Sequence, residues 1–439
     1  MLPTRYDVVV VGAGIMGVAS AFHLQKNSPG KKVLVVDRFG APGQGNTGRS
    51  NAMFRNTFSS ADNQKLSNSS IDYYLHVQEE LREDLGLQKI GYLWLMDEAQ
   101  QSRSEPYLRR MEGNSIEVVR YGRDDLKRML PGMATGFDAD EQARMMELPS
   151  VDGGVFGPKC GRLDPDKLAR YYARKFVEAG GTFAFNVDVQ GLLVGPAKRL
   201  GIGEEPRVWQ EFRVDGISVR GMPDDRIAAE TVVLAGGAWL NELLGPIGID
   251  GHVKSKKRQL FSVPADGERL RQLMHAKGFN DHGLLPLVIL PKGGVHFKPV
   301  SEEDCFWIAC EDEINRPFID VPEHDLDRYP AEEKYFENGI YPVLVSYFPD
   351  FRKASIRAMW AGLYAYNTID NLPFVFRNEN LIVVGGDSGS GIMKGDSLGR
   401  LVDAVYREED EASLYGGMSY RPSKLGFERR DVEREEWTL

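Results

Sequence analysis

Residues 7–24 read DVVVVGAGIMGVASAFHL, and the rest of the chain is read outward from them. The β-branched run at 7–11 suits a strand buried on both faces, as in a parallel sheet covered by helices. Gly12, Gly14 and Gly17 follow with GxGxxG spacing, and Val18, Ala21, Phe22 and Gln25 then recur at helical intervals. A second strand, KVLVVD at 32–37, ends in Asp37, twenty residues past Gly17. Each part has a mechanical reason. Gly12 permits the tight turn, Gly14 lets backbone approach a pyrophosphate, and Gly17 lets the helix pack close to the strand. Asp37 accepts a hydrogen bond from a ribose hydroxyl. Ile15 and Met16 open the helix between the glycines and Arg38 follows the acid, so they join the dinucleotide-contact candidates.

Two more strand–glycine–helix units follow, ETVVLAGGAWLNELLG at 230–245 and LIVVGGDSGSGIMKGDSLG at 381–399. The last presents backbone N–H groups at a helix start, where an anion or polarised oxygen docks. An NAD enzyme usually completes its cofactor fold in one continuous block. Three units spread along the whole chain suit a cofactor domain that is interrupted and resumed around a long, buried FAD.

The bulk numbers narrow the classes. The 439 residues are enough for two or three domains, and 42% apolar content supports a sizeable core. There is no apolar run long enough to span a membrane. The N-terminus enters a strand without a charged leader, which predicts a cytoplasmic protein. Cys160, Cys305 and Cys310 have no CxxC spacing, and the histidines have no ligand spacing, so no disulfide framework and no metal are expected. A net charge of −10 argues against a nucleic-acid footprint. The basic run KSKKRQ (254–259) reads as a solvated strand edge or loop, and ERRDVEREEW (428–437) as a solvated tail.

The motifs resemble, over nearly the whole length, the FAD-dependent oxidoreductases of the D-amino-acid oxidase, sarcosine oxidase and glycine oxidase type (the DAO family). The segments that carry the resemblance are VVVVGAGIMGVASAFHL, GNTGRSNAMFR (45–55), VDGGVFGPKCGRLDPDKLARYYARKFVEAGGTF (151–183), VVLAGGAW (232–239), and WAGLYAYNTIDNLPFV (360–375) running into the C-terminal turn. The resemblance implies an α/β fold. A Rossmann-like FAD-binding domain (1–90, 150–240 and 360–439) is interleaved with a substrate domain (91–149 and 241–359) built on a large mixed sheet. GYLWLMDE (91–98) reads as a strand of that sheet, and GGVHFKPV (293–300) with CFWIAC (305–310) as a hairpin.

The resemblance also assigns cofactor residues. Thr47, Arg49, Ser50 and Asn51 wrap the pyrophosphate and flavin, with an exposed Arg49 as the alternative. Val187 touches the adenine, and Ala235, Gly236 and Trp239 belong to the second cofactor turn. Gly386, Ser388, Gly389, Ser390, Gly391 and Ile392 line the flavin ring. Their amides favour the negative charge that develops on the reduced ring.

Three positions depart from the family pattern. Where sarcosine-oxidase-like members carry a flavin-linking cysteine this chain has Leu363, so FAD is expected to be non-covalent. Where they carry an oxygen-activating lysine it has Trp307, which predicts slow reaction with oxygen and faster reaction with a dye or quinone. The carboxylate-binding arginine matches Arg55, whereas the lysine position falls on Met393, with Lys394 next to it. Arg55 can fork to a carboxylate. Lys394 reads either as its partner or as a surface ion pair.

Tyr364 and Tyr366 lie on the segment leading to the flavin's substrate side, and either can donate to carboxylate or nitrogen. His296 and Lys298 share one side of a strand that either faces the pocket or lies in a solvated hairpin. The activity implied is oxidation of the C–N bond of a small amino acid or N-alkyl amino acid, by hydride transfer to flavin N5. The partners are then a small carboxylate substrate and an acceptor, oxygen or a dye- or quinone-type molecule. The alternatives are a 2-hydroxy-acid dehydrogenase and a non-enzymatic FAD-binding partner factor. Oligomeric state is left open.

Overall fold

The structure is a computed structural model and describes residues 5–221, 225–311, 317–320 and 323–437. The opening strand, Arg5–Val11, lies in the middle of an eight-stranded sheet. It pairs in parallel with Val33–Asp37 on one side and with Arg226–Leu234 on the other. Thr182–Phe185 and Leu381–Gly385 extend the parallel run, and Phe374–Asn378 closes one edge antiparallel. Strands that lie more than two hundred residues apart in sequence are therefore neighbours, as a cofactor domain resumed late in the chain requires.

Helices Ile15–Asn27, Pro165–Glu178 and Gly395–Tyr406 bury their apolar sides against one face of this sheet. The meander Asp188–Pro196 and Phe212–Arg220 contributes to the core on the other. Covered on both sides, the central valines are excluded from water, which explains the unbroken β-branched run at its start. Gly12 takes φ +105°, and a Cβ on Gly17 would lie 1.9 Å from the Gly12 carbonyl oxygen. The third glycine of the motif is thus set by helix-to-strand contact.

The second sheet also has eight strands, in the order Ala358–Asn367, Val253–Pro264, Cys305–Ala309, His296–Val300, Leu287–Ile289, Tyr92–Met96, Gly153–Gly157, Val119–Gly122. All pairs are antiparallel except Leu287–Ile289 with Tyr92–Met96. His296–Val300 and Cys305–Ala309 form the expected hairpin, with His296 opposite Ala309 and Lys298 opposite Trp307. Two expected seams need correction. Gly153–Gly157 and Ala358–Asn367 hydrogen-bond within this second sheet, so a boundary at 150 parts the first strand from its sheet and one at 360 cuts through the second. Periodicity reports that a segment is a strand; which sheet completes its ladder is a tertiary matter.

Two charged segments are also corrected. The basic run lies inside Val253–Pro264, with a paired strand on each side, and Lys256 and Gln259 are only 3% exposed. Lys254 and Arg258 share one face of the strand, four residues apart, and differ by position along it: Lys254, near the strand's start, reaches solvent, while Arg258, further along, lines the cleft. The C-terminal tail is solvated only in part: Glu433, Arg434 and Glu436 are exposed, but Glu435 and Trp437 are buried. The Glu435 carboxylate accepts from the Ser59 and Ser60 amides, the Ser59 hydroxyl and the Asn63 side chain at the start of helix Ala61–Glu79, and Trp437 packs on Trp94. An anion at a helix N-terminus is favourably placed, which explains a buried glutamate. No helix among the described residues is long and apolar enough to cross a membrane.

Candidate active site

A long cleft runs between the two sheets, with about 1520 Å³ of empty space including its open mouth. At one end lies the first glycine turn. Gly14, the helix N-cap, has no side chain to accept the first-turn amides, and Thr47 from a distant loop takes only that of Ile15, at 3.1 Å. Asp37 accepts from the Ala13 amide at 2.6 Å and the Phe39 amide at 2.8 Å. Burial pushes its carboxyl upward, and those two amides and Arg38 hold it back. Arg38 stacks over Trp239 with 5.1 Å to the ring centroid, next to Val187 on the cleft wall.

The loop bearing Thr47 joins the two sheets. Asn46 Oδ1 accepts from the Leu363 amide at 2.8 Å. Arg49 donates to the Ala361 carbonyl at 3.1 Å and to Asp327, and the Trp360 indole donates to the Arg49 carbonyl. Arg49 is therefore a bridge as well as a wall residue. Of the expected cofactor positions, Gly12, Gly14, Ile15, Met16, Asp37 and Arg38 line the cleft at the nucleotide end. Thr47, Arg49, Ser50, Asn51, Val187, Ala235, Gly236 and Trp239 line it as well, Val187 and Ala235 beside the first turn, where their amides donate to the Asp37 and Val11 carbonyls. Gly17 does not reach it, for the packing reason above.

At the other end, only Gly389, Gly391 and Ile392 of the expected flavin-ring residues line the cleft. Gly386, Ser388 and Ser390 do not. The Ser388 hydroxyl accepts from the Asn367 amide, and the Ser390 hydroxyl donates to the Asp387 carbonyl, so both are spent on holding the turn. Asp387, which the motif reading passed over, lines the cleft and accepts the Gly391 amide at 2.8 Å. That amide is therefore engaged within the turn. Its signal was the lone acid in GGDSGSG.

The expected substrate residues separate. Tyr364 lines the cleft, its ring so close to Gly389 that a Cβ there would lie 2.1 Å from it. Tyr366 stands behind it and accepts a 2.7 Å hydrogen bond from Arg258 Nη2. Arg55 is not in the cleft. Its two fork nitrogens donate to the Thr57 and Trp437 carbonyls, at 2.8 and 3.0 Å, and its plane lies over Phe58. Lys394 is 1% exposed, donates to the Ser390 hydroxyl and faces the same Phe58 ring, also outside the cleft. Arg55 and Lys394 thus lie against the same ring, Arg55 fastened by the tail and Lys394 by Ser390.

Lys298 is buried behind Asn51, whose carbonyl accepts from its ammonium, and lies over the Trp307 ring at 4.5 Å. A cation thus lies beside Trp307 after all, supplied from the facing strand. Burial lowers the pKa of Lys298 to about 7, and likewise that of Lys394.

Besides Asp387, sequence reasoning missed Arg258, Glu311 and, as a definite wall residue, His296. Arg258 lies against the Tyr364 and Tyr366 rings, 5.5 and 5.6 Å from their centroids. Burial alone would weaken this cation; Tyr366, Glu311 and Tyr364 more than offset it, and its pKa is raised. Glu311 acts electrostatically on Arg258, Tyr364, Tyr366 and His296 alike. The cleft end therefore offers a guanidinium fork, a carboxylate and an imidazole along one wall.

The groups present fit FAD on structural grounds: uncapped helix amides, an acid at the end of the second strand, and two buried polar atoms near the cleft, Arg38 Nη1 and Asn51 Oδ1, that lack a protein partner.

Comparisons with known proteins agree. A family model described as FAD dependent oxidoreductase (DAO) matches residues 7–404. FAD-dependent oxidoreductase domain-containing protein 1 of Xenopus laevis is 24% identical over 91% of this chain and 79% of the relative. Sarcosine oxidase subunit beta of an Arthrobacter species is 28% identical over 89% and 84%. The crystal structure of L-proline dehydrogenase from P. horikoshii superposes with a TM-score of 0.69 at 20% identity, covering 93% of this chain and 94% of that one, a likeness of fold. The chain belongs to the DAO family of FAD-dependent oxidoreductases and is a flavin-dependent enzyme.

Proposed function

We propose that this member of the family oxidises the C–N bond of a small amino acid or N-alkyl amino acid. The observation that carries the reading is Arg258, a buried guanidinium on the cleft wall, aligned by Tyr366 and set near the Glu311 carboxylate. The relatives named for sarcosine and proline support it.

Bound FAD supplies a two-electron acceptor for the hydrogen at the substrate's α-carbon. Gly12, Gly14 and Asp37 would hold its nucleotide half, and Gly389, Gly391 and Ile392 would lie at the flavin half. Arg258 binds the substrate carboxylate through its planar fork. The Tyr366 hydroxyl fixes the fork's orientation, and the Tyr364 ring closes the wall beside it. Glu311 draws the ammonium end, so a zwitterion is held at both ends and its α-carbon is presented in one orientation. A 2-hydroxy acid would use Arg258 but carries no ammonium for Glu311 to draw, which disfavours the dehydrogenase alternative. FAD is held non-covalently: Leu363 lines the cleft, and the thiol of Cys310, also on the wall, is turned to the Gly293 carbonyl.

The test is turnover. Purified protein is assayed with glycine, N-methylglycine, L-proline and a panel of 2-hydroxy acids, using both oxygen and an artificial dye as acceptor. Amine turnover is expected. Turnover of hydroxy acids alone, or none at all, sinks the proposal. Acid precipitation should release the flavin into the supernatant; flavin retained on the protein would refute the non-covalent assignment.

A further inference from the structure

An amine gives up a hydride from its α-carbon only when its nitrogen lone pair is free. An aliphatic ammonium has a pKa near that of lysine, about 10.4, so at neutral pH almost all substrate arrives protonated. Some group in the cleft must take that proton. A carboxylate such as Glu311 is a good partner for an ammonium and a poor acceptor of its proton, whereas an imidazole is basic enough to accept one and weak enough to give it back.

His296 is the imidazole on the cleft wall. It is 5% exposed, on the strand His296–Val300, opposite Ala309. Its Nδ1 lies 2.8 Å from the Gly294 carbonyl oxygen. A carbonyl only accepts, so Nδ1 carries the proton, and in the neutral ring Nε2 is left with its lone pair. Among the described residues no protein group partners Nε2, and it is not sealed from the cleft. The charged groups facing the ring are Glu311 after the paired strand, Lys298 on its own strand and Arg258 from Val253–Pro264. Burial weighs most, against the imidazolium; Lys298 and Arg258 add to it, Glu311 opposes it, and the pKa falls below the ordinary histidine value. The ring is neutral at pH 7 and available as a base.

We propose that His296 Nε2 is the proton acceptor for the substrate ammonium. The N–H bond of the ammonium breaks, an Nε2–H bond forms, and the nitrogen keeps the electron pair, leaving a neutral amine and an imidazolium stabilised by Glu311. The proton later returns to solvent. This rests on the amine-oxidation reading and assigns one residue to one step of it.

The experiment compares wild-type and His296→Gln holoenzyme, with glycine, N-methylglycine and L-proline and an artificial acceptor, between pH 6 and 10. FAD content should be equal. At pH 7 the kcat/KM of the variant should fall about a hundredfold. It should then climb about tenfold per pH unit and approach wild type near pH 9–10, where solution supplies the free amine. A constant ratio of variant to wild type across the range overturns this inference alone. Failure of the wild type to oxidise any of the three overturns the amine reading and this one together. A second measurement needs no turnover. Nitrogen-15 NMR of histidine-labelled holoenzyme, with the His296 signal identified by its loss in the variant, should show Nδ1 protonated and Nε2 bare at pH 7. The opposite tautomer, or an imidazolium, overturns it.

Discussion

The two ends of the cleft are built differently. The nucleotide end is made by one short stretch of chain: Gly12, Gly14, Gly17 and Asp37 come from two adjacent parallel strands and the helix between them. The substrate end is assembled from side chains on separate strands, Arg258, His296 and Tyr364, plus Glu311 beyond another. A site made of backbone at a turn is specified by local spacing. A site made of side chains is specified by how distant strands pair, and a single step in register turns each of them to the opposite face.

The comparison breaks most visibly at the two arginines. Arg258→Ala should lower kcat/KM for a carboxylate amine by more than a hundredfold with FAD content unchanged, since uncoupling one side of a desolvated charge pair costs roughly 3–5 kcal/mol. Arg258→Lys should restore only part of it, because a point charge does not reproduce the fork. If Arg55→Ala carries that kinetic loss and Arg258→Ala does not, the substrate end has been misplaced.

Asp37→Ala tests the other end. FAD affinity should fall on the order of 1.5–3 kcal/mol, roughly ten- to a hundredfold, measured by flavin fluorescence on titration of apoprotein. Unchanged affinity would make Asp37 only a brace for the Ala13 and Phe39 amides.

The tail sharpens the contrast between Arg55 and Arg258. Arg55→Ala and Glu435→Gln should each lower thermal stability, by about 1.5–3 kcal/mol, because each removes charge-assisted bonds in a buried cluster. Neither should move KM more than a few-fold. A large KM change with unaltered melting would return Arg55 to the site.

A further effect concerns pH. Lys298, at about 7 when folded, lies well below the ordinary lysine value near 10.4. Between these values the unfolded chain binds the extra proton and the folded one does not. Stability from this group therefore rises with pH across that window, by at most about 1.4 kcal/mol per unit, and is lowest below pH 7. Lys298→Met should flatten the rise in melting temperature between pH 7 and 9. An unchanged slope would mean that the ammonium is not desolvated behind Asn51.

Much of the fold was legible. Glycine spacing, β-branched runs and the three strand–turn–helix units are local patterns, and they placed the family, the cofactor and the nucleotide half of the cleft. KSKKRQ shows why the other half was not. A run of charges reads as a solvated surface because isolated charges avoid burial. Here it is threaded through the middle of a sheet, and position along the strand leaves Lys254 in water and places Arg258 on the cleft wall. The tail failed in the same way: Glu435 is buried because helix amides await it, and those amides lie nearly four hundred residues earlier.

The sequence by itself determined where backbone must bend and approach: the turn at Gly12, the close helix contact at Gly17, and the acid at Asp37. Those depend on the steric and hydrogen-bonding demands of residues near one another in the chain. Only the tertiary structure decided which of the candidate cations lines the cleft. Arg55, Arg258, Lys298 and Lys394 look alike in sequence. What distinguishes them is the partner each finds in space: tail and loop carbonyls for Arg55, a serine for Lys394, the Asn51 carbonyl for Lys298, and the tyrosine-lined cleft wall for Arg258.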